Sequence, residues 1–218
     1  MTDIRMDWGR ATRTGVAEAV FCAGKSPAQI DAIVAAASGR EHRLLMTRLD
    51  TETHAALVSE TSRALDYDPI SRTAILGGAT PLVASGTGIV AAGTSDMPVA
   101  LEAQRTLAFA GHDSTMIIDV GVAGLWRLVD RRDELASFRV IIAVAGMEGA
   151  LFSVIGGLVP APVIAVPTSV GYGVATGGVT ALNAALSSCS PGVVVVNVDN
   201  GFGAAVAACK ILMNQPSA

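Results

Sequence analysis

From Gly88 to the end of the chain, short apolar runs alternate with polar, glycine-bearing turns and with longer alanine-rich stretches of helix length. Runs that are apolar at every position, such as 163–166, suit strands covered on both faces, because a strand with one wet face would alternate. The pattern predicts strands over 89–92, 115–118, 139–144, 163–166 and 193–196, and helices near 98–111, 125–136, 149–158, 176–187 and 203–213. Five strands joined through helices by right-handed crossovers make an α/β fold, a three-layer αβα sandwich around a parallel, flavodoxin-like sheet.

Residues 1–80 read differently. They carry nine of the fifteen basic residues, among them Arg10, Arg13, Lys25, Arg48 and Arg72, and suggest helices separated by polar turns. Ser26-Pro-Ala-Gln29 is a helix start, with Ser as N-cap, Pro in the first turn and Gln as the reciprocal capping partner. The expectation is a small, mainly helical accessory region over 1–80 and a catalytic domain over 86–218. Their junction is expected in the breaker-rich stretch from Tyr67-Asp-Pro69 through Gly77-Gly-Ala-Thr-Pro81 to Gly86-Thr-Gly88.

With 218 residues, 51% of them hydrophobic and 16% charged, the chain is long enough to bury a large core. A net charge of −4 offers no footprint for nucleic acid or an anionic membrane, which favours a small-molecule partner. No apolar run reaches the length of a membrane span. The polar start, Met1-Thr-Asp-Ile-Arg-Met-Asp7, lacks the apolar stretch of a secretory signal, so a cytoplasmic protein is expected. Abundant Ala and Val with 4% aromatics fit doubly covered strands or a large subunit interface, and a homo-oligomer is expected. The three cysteines, Cys22, Cys189 and Cys209, have no zinc-site spacing and form no disulfide framework.

Polar clusters follow the predicted strands: Thr94-Ser95-Asp96, Asp119, Met147-Glu148, Thr168-Ser169 and Asn197-Val198-Asp199-Asn200. Open parallel sheets bind ligands at that edge, where helix N-termini turn free N–H groups toward anions. Such residues also cap helices and shape turns wherever βα loops occur, so their placement locates a site without naming its chemistry. Neither G-x-G-x-x-G after the first strand nor a P-loop is present. Gly93-Thr-Ser-Asp96 and Gly171-Tyr172-Gly173 are the candidate phosphate cradles. Cys189 lies in a polar turn between a predicted helix and the last strand, where a thiol could project into a neighbouring site. Cys22 and Cys209 sit in apolar patterns and read as packing.

Six ordered motifs carry a resemblance. Ala92-Gly-Thr-Ser-Asp-Met-Pro98, Asp119-Val-Gly-Val-Ala-Gly124, Val144-Ala-Gly-Met-Glu-Gly-Ala150, Ala165-Val-Pro-Thr-Ser-Val-Gly-Tyr-Gly173, Ser188-Cys-Ser-Pro-Gly192 and Asn197-Val-Asp-Asn-Gly-Phe-Gly203 resemble the successive motifs of the LarB family. That family is pyridinium-3,5-biscarboxylic acid mononucleotide synthase, of nickel-pincer cofactor biosynthesis. Asp7-Trp-Gly-Arg10-Ala-Thr-Arg13-Thr-Gly15, with Glu18 and Lys25, is similar to its amino-terminal pattern. The second half also resembles the PurE carboxylases of purine synthesis, whose Ser-Asp motif corresponds to Ser95-Asp96. Where those enzymes have a histidine, this chain reads Gly146-Met-Glu-Gly149, a change of acid/base group to Glu148.

The resemblance implies a carboxylase and hydrolase that adds CO2 or bicarbonate carbon to pyridinium C5 of nicotinic acid adenine dinucleotide and splits the phosphoanhydride to release AMP. It implies Cys189 as the nucleophile and Glu148 as the group that removes the C5 proton. Thr94, Ser95, Asp96, Asp119, Arg127, Gly146, Met147, Thr168, Ser169, Gly171, Tyr172 and Gly173 are the implied substrate contacts. Asp199 and Asn200, with Asp119, are the implied oxygen ligands for Mg²⁺. Purine-type relatives suggest a homo-octamer. Departures from the expected family pattern are Phe152 in place of Pro and Trp126 in place of His. The alternatives are an aminoimidazole ribotide (AIR) carboxylase or mutase and a non-catalytic nucleotide-binding subunit.

Overall fold

A computed structural model of the chain describes residues 4–213. The chain forms two compact units, Met1–Pro81 and Leu82–Ala218. No helix among the described residues is long and apolar enough to cross a membrane.

The first unit runs α1 (Arg10–Thr14), β1 (Ala19–Phe21), α2 (Pro27–Ser38), β2 (Leu44–Thr47), α3 (Thr51–Ala55), α4 (Ser59–Ala64), β3 (Leu65–Asp68) and β4 (Thr73–Leu76). The capping box at Ser26 and Gln29 forms as the sequence indicates, and Pro27 opens α2. The mainly helical expectation missed a four-stranded sheet of order β1-β2-β4-β3, in which only β1 and β2 pair in parallel. These strands are three or four residues long, and β2 and β4 are buried at every position, so they show no alternation to betray them. The end of β3 and all of β4 fall inside the stretch read as a junction, because Pro69 belongs to the turn of a β3–β4 hairpin and Gly77-Gly78 follows its second strand. Val20, Ile30, Ile33, Leu44, Met46, Leu65 and Leu76 form this unit's core. The amino-terminal motif is an ion network: Arg10 pairs with Asp7 at 3.3 Å and Glu18 at 3.2 Å, and Arg13 also meets Asp7.

The second unit contains β5 (Thr87–Ala91), α5 (Met97–Phe109), β6 (Thr115–Ile117), α6 (Trp126–Val129), α7 (Arg132–Ala136), β7 (Val140–Ala145), α8 (Ala150–Gly156), β8 (Val163–Pro167), α9 (Val179–Leu186), β9 (Val193–Val195) and α10 (Gly201–Met213). All five strands are parallel, in the order β6-β5-β7-β8-β9. Counted within the unit this is 2-1-3-4-5, the doubly wound order whose ligand crevice lies outside the carboxyl ends of its first and third strands. The three central strands are buried at every residue, and the outer two are partly open. One face packs Ile89, Val140, Ile142, Val144 and Ile164 under α5 and α10; the other packs Ile141, Ala143, Val163 and Ala165 under Leu128, Leu135, Phe152 and Ala181.

Two expected helices are shorter or broken. The segment 125–136 divides at Asp130 and Arg131, where Arg131 leaves the helical line at φ −100°, ψ 8°. The helix expected from 176 begins at Val179 because Thr176 is extended and Gly177 and Gly178 have positive φ. A side chain at Gly178 would stand 2.6 Å from the Thr168 carbonyl oxygen, so the chain crosses the end of β8 too closely for any other residue.

Glu102 is buried on α5, and its Oε2 accepts the Phe202 N–H at 3.2 Å, in the first turn of α10. A carboxylate there also meets the positive end of the helix dipole. Replacing Glu102 by Ala is expected to destabilise the protein by about 2 kcal/mol, since a buried N–H loses a charged acceptor. Urea unfolding measures this, and an unchanged midpoint would show that the contact contributes nothing.

Candidate active site

At the junction of β5 and β7 the carboxyl ends of the sheet open into a cleft of about 360 Å³, at the small end of ligand pockets. Its floor and walls are largely backbone and small side chains: Ala92, Gly93, Gly121, Ala145, Gly146, Gly149 and Ala150. Ser95, Asp96, Arg127, Met147 and Glu148 supply the longer or polar groups. Gly146 is obligatory, because a Cβ there would lie 2.1 Å from the Val170 carbonyl oxygen and 2.7 Å from Thr168 Oγ1.

Asp96 is 3% exposed. Its Oδ1 accepts the Thr168 hydroxyl at 2.7 Å and its Oδ2 the Gly93 N–H at 2.9 Å. Burial pushes this carboxyl above its ordinary value, the bonds from Thr168 and Gly93 pull part of the way back, and the charge of Asp199 adds to the rise. Arg127 is held from the other side by an ion pair of 2.8 Å with Asp119. A guanidinium fixed in this way presents its remaining N–H groups to a carboxylate or phosphate. Glu148 is solvent-exposed at the rim.

Three residues in the loops after sheet strands take the left-handed conformation without being glycine: Asp119 (φ 63°), Met147 (φ 50°) and Asp199 (φ 56°). Such backbones are uncommon outside turns and functional sites. Here each is tied down. Met147 N–H donates to the Val170 carbonyl at 2.8 Å, and Asp199 N–H donates to the Pro167 carbonyl at 2.7 Å while its Oδ1 accepts the Ser169 N–H at 2.8 Å.

The structure therefore gathers Ser95, Asp96, Arg127, Gly146, Met147 and Glu148 around one cleft, with Thr168 and Asp119 bracing two of them. Thr94 is exposed on the 3₁₀ turn before α5, and Gly171, Tyr172 and Gly173 lie on the loop after β8 without lining the cleft. Sequence reasoning gave no role to the apolar lining, Val122, Ala123, Leu151 and Val170, although the first two and the last lie inside the motifs that carried the resemblance. Phe152 is fully buried beneath Gly149 and does not reach the cleft, and Trp126 is exposed beside it. The expected magnesium cage does not fit. Asn200 Oδ1 caps α10 by accepting the Gly203 N–H at 2.8 Å, Asp199 braces the β8 loop, and Asp119 is paired with Arg127. Among the described residues no group of three or more His, Cys, Asp or Glu side chains is arranged for a metal.

Cys189 departs most from expectation. It follows α9, which returns the chain from the carboxyl end of β8 to the amino end of β9, so it stands on the amino side of the sheet. Cys189 is exposed there and does not line its own chain's cleft.

Comparison with known proteins places the chain. Residues 1–78 match the LarB/PurE-like N-terminal domain, and residues 87–218 match the AIR carboxylase family. It belongs to the LarB family of PurE-like carboxylases. An uncharacterized protein of Methanocaldococcus jannaschii is 40% identical over 214 residues, covering 93% of this chain and 81% of that protein. A crystal structure of a PurE2 variant from Treponema denticola aligns with a TM-score of 0.45 at 19% identity, covering 62% of this chain and 89% of the other. In this family member the histidine of the purine enzymes has no counterpart in the cleft: His42 and His54 lie in the first unit, and His112 precedes β6 on the amino side.

Burial pushes Cys22 up to about 12 and Cys209 up to about 11. A maleimide at mild alkaline pH is therefore expected to modify Cys189 alone in the native protein and the other two only after denaturation; native labelling of Cys22 or Cys209 would contradict the buried packing. The raised Asp96 has its own consequence. An acid whose folded value exceeds its unfolded one near 3.8 contributes its stability at low pH and loses it as pH rises through the folded value. Asp96→Asn should flatten that part of the stability profile, as read from urea midpoints against pH, and an unchanged slope would refute the desolvated carboxylate.

Proposed function

We propose that this protein carboxylates nicotinic acid adenine dinucleotide at pyridinium C5 and hydrolyses its phosphoanhydride, releasing AMP and pyridinium-3,5-biscarboxylic acid mononucleotide for a nickel-pincer cofactor, in the cytoplasm. The observation that carries the reading is Glu148 at the rim of a cleft braced by Arg127 and Asp96, in a chain whose two halves match the two parts of this family.

The chemistry follows from the ring. A pyridinium is electron-poor and does not attack CO2. Addition of the Cys189 thiolate at C6 removes the positive charge and turns C5 into an enamine-like carbon. C5 then bonds to CO2, Glu148 takes the C5 proton, and the thiolate leaves with the electron pair that it brought, which restores aromaticity. Water attacks the phosphoanhydride and AMP departs. Arg127 suits the carboxylate or phosphate of such a substrate, and the glycine-lined wall lets a flat ring lie against backbone. Magnesium would accompany the diphosphate as its counter-ion.

The AIR carboxylase alternative draws support from the family match over 87–218, and the lack of a histidine in the cleft counts against it.

Purified protein incubated with nicotinic acid adenine dinucleotide, bicarbonate and Mg²⁺ is expected to yield AMP and a mononucleotide one carboxylate heavier than nicotinic acid mononucleotide, as read by mass spectrometry. Cys189→Ser should lower turnover by about a thousandfold or more, and Glu148→Gln by about a hundredfold. Turnover of aminoimidazole ribotide with none of the dinucleotide would replace this reading with its alternative, and full activity of Cys189→Ser would remove the nucleophile.

A further inference from the structure

We propose that the first unit carries a binding site of its own, a pocket that takes a small carboxylic acid by its carboxylate and a compact apolar body. The site is independent of the reaction proposed for the cleft of the second unit.

The pocket, of about 330 Å³, lies between the segment 4–6, β1 and the start of α2. Its wall is built from the amino-terminal motif, to which the proposed reaction gives no task. Ile4, Met6 and Trp8 pack alternately onto the unit's core. Trp8 meets the His42 ring edge to face, with centroids 4.9 Å apart, and Arg40 lies 5.4 Å from its ring. Asp7, between them, is tied to Arg10 and Arg13. These contacts fix the segment beside β1 although it forms no strand.

The charges in the pocket are unbalanced. Of the three ionic residues that line it, Arg5, Glu18 and Lys25, the acid is already engaged: Glu18 Oε1 meets Arg10 at 3.2 Å and Oε2 accepts the Asp7 N–H. Arg5 and Lys25 have no carboxylate partner among the described residues. Two neutral donors join them. Gln29 also lines the pocket, and because its Oε1 accepts the Ser26 N–H at 2.9 Å, its Nε2 remains a donor. Cys22 N–H donates to the Thr47 carbonyl of β2 at 2.8 Å, so the alternate residue, Phe21, turns its N–H to the outer edge. On that edge β1 has no neighbouring strand. Cations and donors without an acceptor call for an anion.

The kind of anion follows from what the fold has already used. Phosphates seat on free N–H groups at helix N-termini, and α2 has few left. Pro27 has none, and the Gln29 N–H is taken by Ser26 Oγ at 3.3 Å. Two point cations beside Ile4, Met6, Val20 and Ile33 suit a carboxylate on a hydrocarbon body instead. The volume stands at the bottom of the range for ligand pockets, enough for one ring or a short acyl chain and too small for a dinucleotide.

Titration calorimetry of the full-length protein with benzoate and hexanoate tests this, with benzamide and phenyl phosphate as the neutral and phosphate counterparts of benzoate. Both acids are expected to bind saturably. Affinity should fall about tenfold or more for benzamide, and likewise for the acids in Lys25→Met, which keeps the stem and removes the charge. Hydrogen-exchange mass spectrometry locates the site: benzoate should protect residues 4–8 and 18–29 and leave 92–96 and 146–149 unchanged. Absence of saturation by either acid up to about 10 mM, or undiminished affinity in Lys25→Met, would overturn the site. Protection confined to 92–96 and 146–149 would assign the acids to the cleft and overturn it equally. Tighter binding of phenyl phosphate than of benzoate would overturn the choice of a carboxylate.

Discussion

Asp96 joins three strand ends through one carboxylate. It accepts from Gly93 after β5, from Thr168 after β8, and from the backbone of Gly146 after β7. Taking a carboxylate out of water is costly, and only a full set of donors makes it tolerable. That requirement fixes the spacing of the three loops, and the cleft is the gap left between them. Gly146 can be nothing else because the Thr168 hydroxyl and the Val170 carbonyl already occupy the space of a side chain. The left-handed Met147 that follows turns Glu148 to the rim.

The second unit was legible because its strands are doubly buried and its loops are polar, so the contrast survives in the sequence. All five strands fall within a few residues of their expected places. Helix starts were harder: Gly149, Gly177 and Gly178 are left-handed, a property of loop closure over the strand ends that composition does not encode. The first unit hid its sheet because strands as short as Ala19–Phe21 have no period to detect.

At the site, the motifs named Ser95, Asp96, Arg127, Gly146, Met147 and Glu148, and these come together. Asp199 and Asn200 looked like metal ligands because acidic and amide side chains serve equally as loop braces and helix caps, which is the use made of them here. Cys189 illustrates a different limit. A motif records which residue types belong to a function, and it did not tell that Cys189 stands exposed and off the lining of the cleft.

The most direct measurement follows isotopically labelled carbon. With ¹³C-bicarbonate and nicotinic acid adenine dinucleotide, NMR of the products should show one labelled carboxyl attached to C5 of the pyridinium for each AMP released. AMP released with no label on the ring would mean that the protein is a hydrolase alone, and the thiolate-activated carboxylation would be wrong.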